Sequence, residues 1–175
     1  LVPFMDKDGV EDGDQGKNRS PRDHNRDYDG HPVHVETAAL QQRIPAWGEG
    51  KLRVFLDLHC PHITGDVIYL VGSRRPVIAG EQERFSELLE ETCRGPLPVR
   101  AQDFLPFGTG WNRAGTYAQG MSCAAWAAGI EGVALASTIE IPYADVQGAE
   151  VNAESAAAFG ADLARTLARY LDAGC

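Results

Sequence analysis

Three runs decide most of what this chain can fold into: KLRVFLDLH (51–59), DVIYLVG (66–72) and GVALASTIEI (132–141). Each is short and nearly continuous in apolar residues. That is how strands read when both faces are covered, and the first and third are expected to be buried in this way. Between and after them come segments of helical period. AGEQERFSELLEETC (79–93) sets Phe85, Leu88 and Leu89 on one face, and Gly95-Pro96 ends it. NAESAAAFGADLARTLARYLDAG (152–174) repeats Phe159, Leu163, Leu167 and Leu171 at four-residue steps. VHVETAALQQRI (33–44) predicts a helix stopped by Pro45, and QGMSCAAWAAG (119–129) predicts a short one. Strands alternating with helices give an α/β class, with a sheet flanked by helices. The 175 residues suffice for a single domain, 1–175, with one sizeable core.

Charge excludes some functions. A formal net charge of −9 argues against a nucleic-acid partner, which calls for a basic patch or stripe. No apolar run reaches the length of a membrane span, so no membrane partner is expected. Cys60, Cys93, Cys123 and Cys175 are scattered without a CxxC pair. They form neither a disulfide framework nor a zinc-finger pattern, and lean towards a reducing compartment.

In open α/β sheets, sites lie beyond the carboxyl ends of the strands. His59 closes the first run and Glu140 sits near the end of the third. A histidine at a strand end is ordinarily just hydrogen-bonded. A carboxylate in a buried segment is rarer and asks for a partner, either a local salt bridge or a catalytic task.

Residues 1–4 read as the end of a strand. A long loop, 5–33, follows them. Its first part, MDKDGVEDGD, is acidic and reads as a solvated turn. As a calcium loop it fails, because aligning Gly13 as the turn glycine puts Val10 at a ligand position and Arg19 where the glutamate belongs. Its second part, GKNRSPRDHNRDYDG, is a basic island carrying Lys17, Arg19, Arg22 and Arg26 within ten residues.

Taken together, these segments resemble the zinc metallocarboxypeptidases of the carboxypeptidase A type, nearest to the bacterial branch akin to the cytosolic carboxypeptidases. DKDGVEDGDQGKNRSPRDHNRDY resembles that family's arginine and asparagine–arginine segment. FLDLHCPH is similar to the segment of its third zinc ligand. GTYAQGMSCAAWAAGIEGVALASTIEIPY is similar to its tyrosine-to-glutamate segment. The three occur in the family's order and span most of the chain.

The resemblance implies a function: hydrolysis of the C-terminal peptide bond of peptides with a free C-terminus. By this resemblance His59 binds zinc and Glu140 is the general base. Asn25 and Arg26 hold the substrate's terminal carboxylate, Arg19 (or Arg22) stabilises the oxyanion, and Tyr117 caps the bound terminus. Asp23 and Asp27 are expected to hold the guanidinium groups in place. The family's pocket floor falls near Ala124, which gives a basic side chain no ion-pair partner and disfavours Lys or Arg. A cis bond is expected at Cys60–Pro61.

The same resemblance marks what is missing. A catalytic zinc takes three protein ligands and an open position. The family supplies two from an H-x-x-E pair that this chain lacks: His24, His31, His34, His59 and His62 are not followed by glutamate three positions on. HPVH (31–34) and HCPH (59–62) have metal-like spacing but match no ligand segment of the family. The expectation is therefore a partial mixed sheet, a carboxypeptidase fold lacking its N-terminal strands. Such a chain would be inactive by itself and prone to self-association through exposed sheet edges. A zinc deacylase of the aspartoacylase or succinylglutamate desuccinylase type is the alternative enzyme. A non-catalytic carboxylate-binding module is the alternative from another class.

Overall fold

A computed structural model describes residues 1–14, 16–60 and 65–174. It is a mixed α/β structure with a small sheet between helices. The central strand is β3 (Leu135–Glu140), with all six residues buried. On one side it pairs in parallel with β1 (Val54–His59), in the register Val54 opposite Leu135 through His59 opposite Glu140. On the other it pairs antiparallel with β2 (Tyr69–Leu70), Tyr69 standing opposite Glu140.

Side chains alternate across a sheet, so the register sorts the residues into two faces. Leu135 and Ile139 pack into the main core with Phe85, Leu89, Phe159, Leu163 and Tyr170. These come from α3 (Pro76–Thr92) and α5 (Ala153–Asp172), which cover that face. Pro76 takes the first helical position, where its missing N–H costs nothing. Asn152 and Ser155 close a reciprocal capping box at the start of α5. On the other face Ala136 meets Ala127 and Ala128 around α4 (Cys123–Ala127), with Phe55 of β1 and Trp126 beside them. Phe55, Asp57, His59, Thr138 and Glu140 share this second face.

Several expectations need correction. Residues 1–4 form no strand and are exposed. The 5–33 segment is not structureless. Asp6 caps a one-and-a-half-turn helix, α1 (Lys7–Asp12), by accepting the Gly9 N–H, and 3₁₀ turns follow at Gly16–Asn18 and His24–Arg26. The acidic run is thus a capped helix rather than a turn.

The next helix, α2 (Val35–Gly48), passes through Pro45 instead of stopping before it. Pro45 lies in the last turn, where it removes a single intrahelical bond. β1 is not covered on both faces: it is an edge strand, and Leu58 is 54% exposed. The 66–72 run contributes only two strand residues, extended by isolated bridges from Ile68 to Val99 and Val71 to Leu105. The 119–129 helix shrinks to α4. A small hairpin, β4 (Asp145–Val146) and β5 (Ala149–Glu150), went unforeseen. It turns on Gln147 and Gly148, both at positive φ (51° and 89°), as two-residue hairpin loops require. The Cys60–Pro61 bond lies outside the described residues.

Candidate functional site

His59 and Glu140 end adjacent parallel strands in register, so both side chains leave the sheet at the same place. His59 Nδ1 lies 4.0 Å from Glu140 Oε1, and His59 Nε2 lies 3.1 Å from Asp57 Oδ2. Asp57 precedes His59 by two residues and so shares its face. Burial opposes charge on His59, but the close pairing of its ring N–H with the Asp57 carboxylate and the field of Asp57 and Glu140 outweigh it and raise its pKa. Glu140 is buried, and that burial holds its pKa above the ordinary carboxylate range. Asp57 adds to the shift, while His59 and Lys17 oppose it. A carboxyl raised by burial beside a histidine is the kind of group that general acid–base chemistry uses.

The basic island folds against the same face. Asp23 caps its 3₁₀ turn by accepting the Asn25 N–H at 2.8 Å. Asn25 Oδ1 in turn accepts the Cys123 N–H at 2.8 Å, at the start of α4. That bond orients the amide and leaves Nδ2 without a protein partner among the described residues. Arg26 crosses to the opposite wall of the cleft. Its guanidinium donates to the Asn25 and Thr116 carbonyls and lies 5.1 Å from the centre of the Tyr117 ring. Among the described residues it has no carboxylate partner. Gly120, at φ 148°, lets the two walls meet: a Cβ there would collide with the Arg26 carbonyl oxygen.

The other two arginines of the island are spent on structure. Arg19 ion-pairs with Asp6 at 2.7 Å and Asp14 at 2.6 Å. Arg22 pairs with buried Asp27 and with Asp29, both at 2.9 Å, and donates to the His31 carbonyl. Neither lines the cleft that holds His59, Glu140, Asn25, Arg26 and Tyr117. Asp27 thus holds a guanidinium as expected. Asp23 does not; it holds the backbone of the turn instead.

Three cleft residues escaped the sequence. Lys17 lines the cleft, and its charge reaches Glu140. Arg74 lies on the turn after β2, its guanidinium 4.9 Å from the Phe107 ring centre. Asn112, fully buried, ties the region together. Its Nδ2 donates to the Gly72 carbonyl at 2.8 Å and the Leu105 carbonyl at 3.2 Å, and its Oδ1 accepts the Tyr117 hydroxyl at 2.9 Å. Only the lone asparagine in a glycine-rich stretch hinted at such a role. Burial raises the Tyr117 pKa; Arg26 and Arg74 pull it back and Glu140 adds to it.

Nothing matches the chain: neither a protein-family model, nor a curated protein, nor a solved structure.

The zinc that the sequence resemblance implies does not fit these residues. Among the described residues, His59 faces two carboxylates and has no second histidine or cysteine grouped with it. Among the described residues, the one set of three metal-donor side chains with ligand atoms all within 4.8 Å is His24, His34 and Glu36. There the two imidazoles stack, with centres 3.7 Å apart and planes 17° from parallel. His34 Nε2 is 2.8 Å from the Arg22 carbonyl oxygen. Imidazole lone pairs lie in the ring plane, so stacked rings do not aim at a common point as metal ligands must.

Proposed function

We propose that this chain carries the carboxylate-recognition and proton-transfer side of a carboxypeptidase-type site, acting on peptides with a free C-terminus. One observation carries the reading: Arg26, which has no carboxylate partner among the described residues, shares a cleft with the raised carboxyl of Glu140 and with His59. A guanidinium matches a flat carboxylate with two parallel hydrogen bonds. The free Nδ2 of Asn25 adds a donor, and the Tyr117 ring backs the guanidinium. In this reading Glu140 takes the proton of a water that adds to the scissile carbonyl carbon. It passes that proton to the nitrogen as the C–N bond breaks. No step is assigned to zinc, because the described residues supply no complete set of ligands.

The test is equilibrium binding of an N-acetylated dipeptide and of its C-terminal amide, followed by titration calorimetry. The acid binds and the amide does not. Arg26→Ala abolishes the difference. Equal binding of acid and amide by the unaltered chain would reject the reading.

A binding module without catalysis is the second reading, favoured by the single histidine at the strand ends. Incubation with peptide and added zinc separates the two. Turnover that Glu140→Gln removes supports the hydrolase, whereas binding without turnover supports the module.

A further inference from the structure

The sheet has one covered edge and one open edge. Beyond β2, bridges from Ile68 to Val99 and from Val71 to Leu105 continue the pairing. Beyond β1, no described strand pairs. Proteins blunt such edges with proline, lysine or bulges. Residues 52–59 hold no proline and no lysine, and β1 runs beside β3 without a bulge.

The backbone of this edge can be sorted. The Arg53 carbonyl accepts from the Ala134 N–H at 2.9 Å, and the His59 carbonyl accepts from the Ile141 N–H at 2.8 Å. Alternation along a strand therefore turns the odd-numbered residues towards β3 and the N–H and C=O of Val54, Leu56 and Leu58 outward. Those three side chains line one open groove with Leu163, Leu167 and Leu171 of α5. Leu58 is 54% and Leu171 46% exposed.

The sequence of the edge is complementary to itself. In LRVFLDL (52–58), reading outward from Phe55 meets Val54 and Leu56, then Arg53 and Asp57, then Leu52 and Leu58. We propose that β1 pairs with β1 of a second copy of this chain, antiparallel about a two-fold axis at Phe55. Val54 and Leu56 then form the hydrogen-bonded pairs, and Phe55 meets Phe55 at the closer, non-hydrogen-bonded position. Arg53 stands opposite Asp57 twice, an opposite-charge pair on each side of the axis. Other symmetric registers lose this match. An axis at Leu56 sets Arg53 against His59, an axis at Asp57 opposes two carboxylates, and an axis at Val54 sets Arg53 against Phe55. A shift by one residue puts the leucines against the cleft face. The two sheets join as one, with α5 of both copies on the same side. The second copy's Arg53 then stands beside Asp57, the carboxylate that pairs with His59, so the pairing adds a residue to the cleft. It does not depend on the peptide reading.

Sedimentation equilibrium from micromolar to millimolar chain tests the pairing. The unaltered chain shows a monomer–dimer equilibrium. Leu58→Lys and Arg53→Glu, both at exposed positions, keep the urea midpoint and weaken the dimer about tenfold. The register is tested by mixing. Arg53→Glu sets like charges opposite each other in its own dimer, and so does Asp57→Lys, but an equimolar mixture of the two restores both ion pairs and forms a heterodimer. If Asp57→Lys does not fold, the two exposed variants decide. A chain that stays monomeric throughout the range overturns the proposal and leaves the edge to a strand of another protein. A dimer or larger assembly that neither Leu58→Lys nor Arg53→Glu weakens overturns it as well. A dimer weakened by Leu58→Lys but not by Arg53→Glu overturns the register.

Discussion

The two faces of the sheet are held together by different physics. On the α3–α5 face, Phe85, Leu89, Leu97, Leu135, Ile139 and Tyr170 are essentially inaccessible and interlock as one apolar cluster. On the cleft face a smaller cluster around Ala127, Ala128 and Ala136 is joined by buried polar groups, among them Asp27, Asn112, Thr138 and Glu140, and main-chain hydrogen bonds position Asp27 and Asn112. Apolar burial is non-directional and sets stability. Buried polar bonds are directional and set where a guanidinium or carboxyl points. The first face therefore tolerates a change in shape at the expense of stability. The second should lose geometry before it loses the fold.

The largest effect falls on the first face. Phe85→Ala removes a fully buried ring that meets Tyr170 edge-on, with centres 5.6 Å apart. It should lower unfolding stability by about 3–5 kcal/mol, measured as a shift of the urea midpoint. Where the variant remains folded, its affinity for a peptide carboxylate should match that of the unaltered chain. A loss of affinity without loss of stability would break the comparison.

Asn112→Ala is the counterpart on the second face. It leaves the Gly72 carbonyl and the Tyr117 hydroxyl without their partner, at a cost of about 2–3 kcal/mol. The expected signature is faster amide exchange in residues 105–117 and weaker peptide binding, with protection of β3 retained. Uniform loss of protection across the chain would show that the two faces are not separable.

The contrast also explains what was legible in the sequence. The apolar face was readable because its signals are local. Runs and four-residue steps located β3, α3 and α5, and Glu140 stood out as a charge within an apolar run. β1 was misjudged because Val54, Leu56 and Leu58 look alike in a central and an edge strand; only the neighbours decide. The cleft was half legible. Asn25, Arg26, His59 and Tyr117 converge on it, but Arg19 and Arg22 turn away towards Asp6, Asp14, Asp27 and Asp29. Which arginine stays free depends on where the acids fold. Asn112 and Arg74 were invisible because their partners are tertiary: Gly72 lies 40 residues from Asn112 along the chain.

A polar device on the apolar side sharpens the comparison through pH. Asp162 of α5 is buried and accepts the Arg94 N–H at 3.0 Å and the Gly95 N–H at 2.9 Å, joining the end of α3 to α5. Burial works against its charge, but these bonds, the Cys93 thiol and Arg165 outweigh it and hold its pKa below the ordinary carboxylate value. A carboxyl whose folded pKa is depressed contributes fully above its unfolded pKa, about 3.9. That contribution fades as pH falls through the lower, folded value. Stability should therefore drop with acid below about pH 4. Asp162→Asn should be weaker by about 2 kcal/mol at neutral pH and should have a shallower acid slope. Parallel pH profiles for the two chains would remove Asp162 from the account.

The smallest change asks whether the cleft depends on a ring or on a hydroxyl. Tyr117→Phe keeps the aromatic face beneath Arg26 and loses the single bond to Asn112 Oδ1. A neutral hydrogen bond contributes about 1 kcal/mol net, so the urea midpoint should move only slightly. If the ring is what holds Arg26 in the cleft, peptide affinity should stay within about twofold for Tyr117→Phe. It should fall by about fivefold for Tyr117→Ala, in line with an exposed cation–π contact of up to about 1 kcal/mol. Equal losses in the two variants would assign the hydroxyl, and through it Asn112, the larger part in positioning Arg26. The directional bonds would then govern even the aromatic contact on the cleft face.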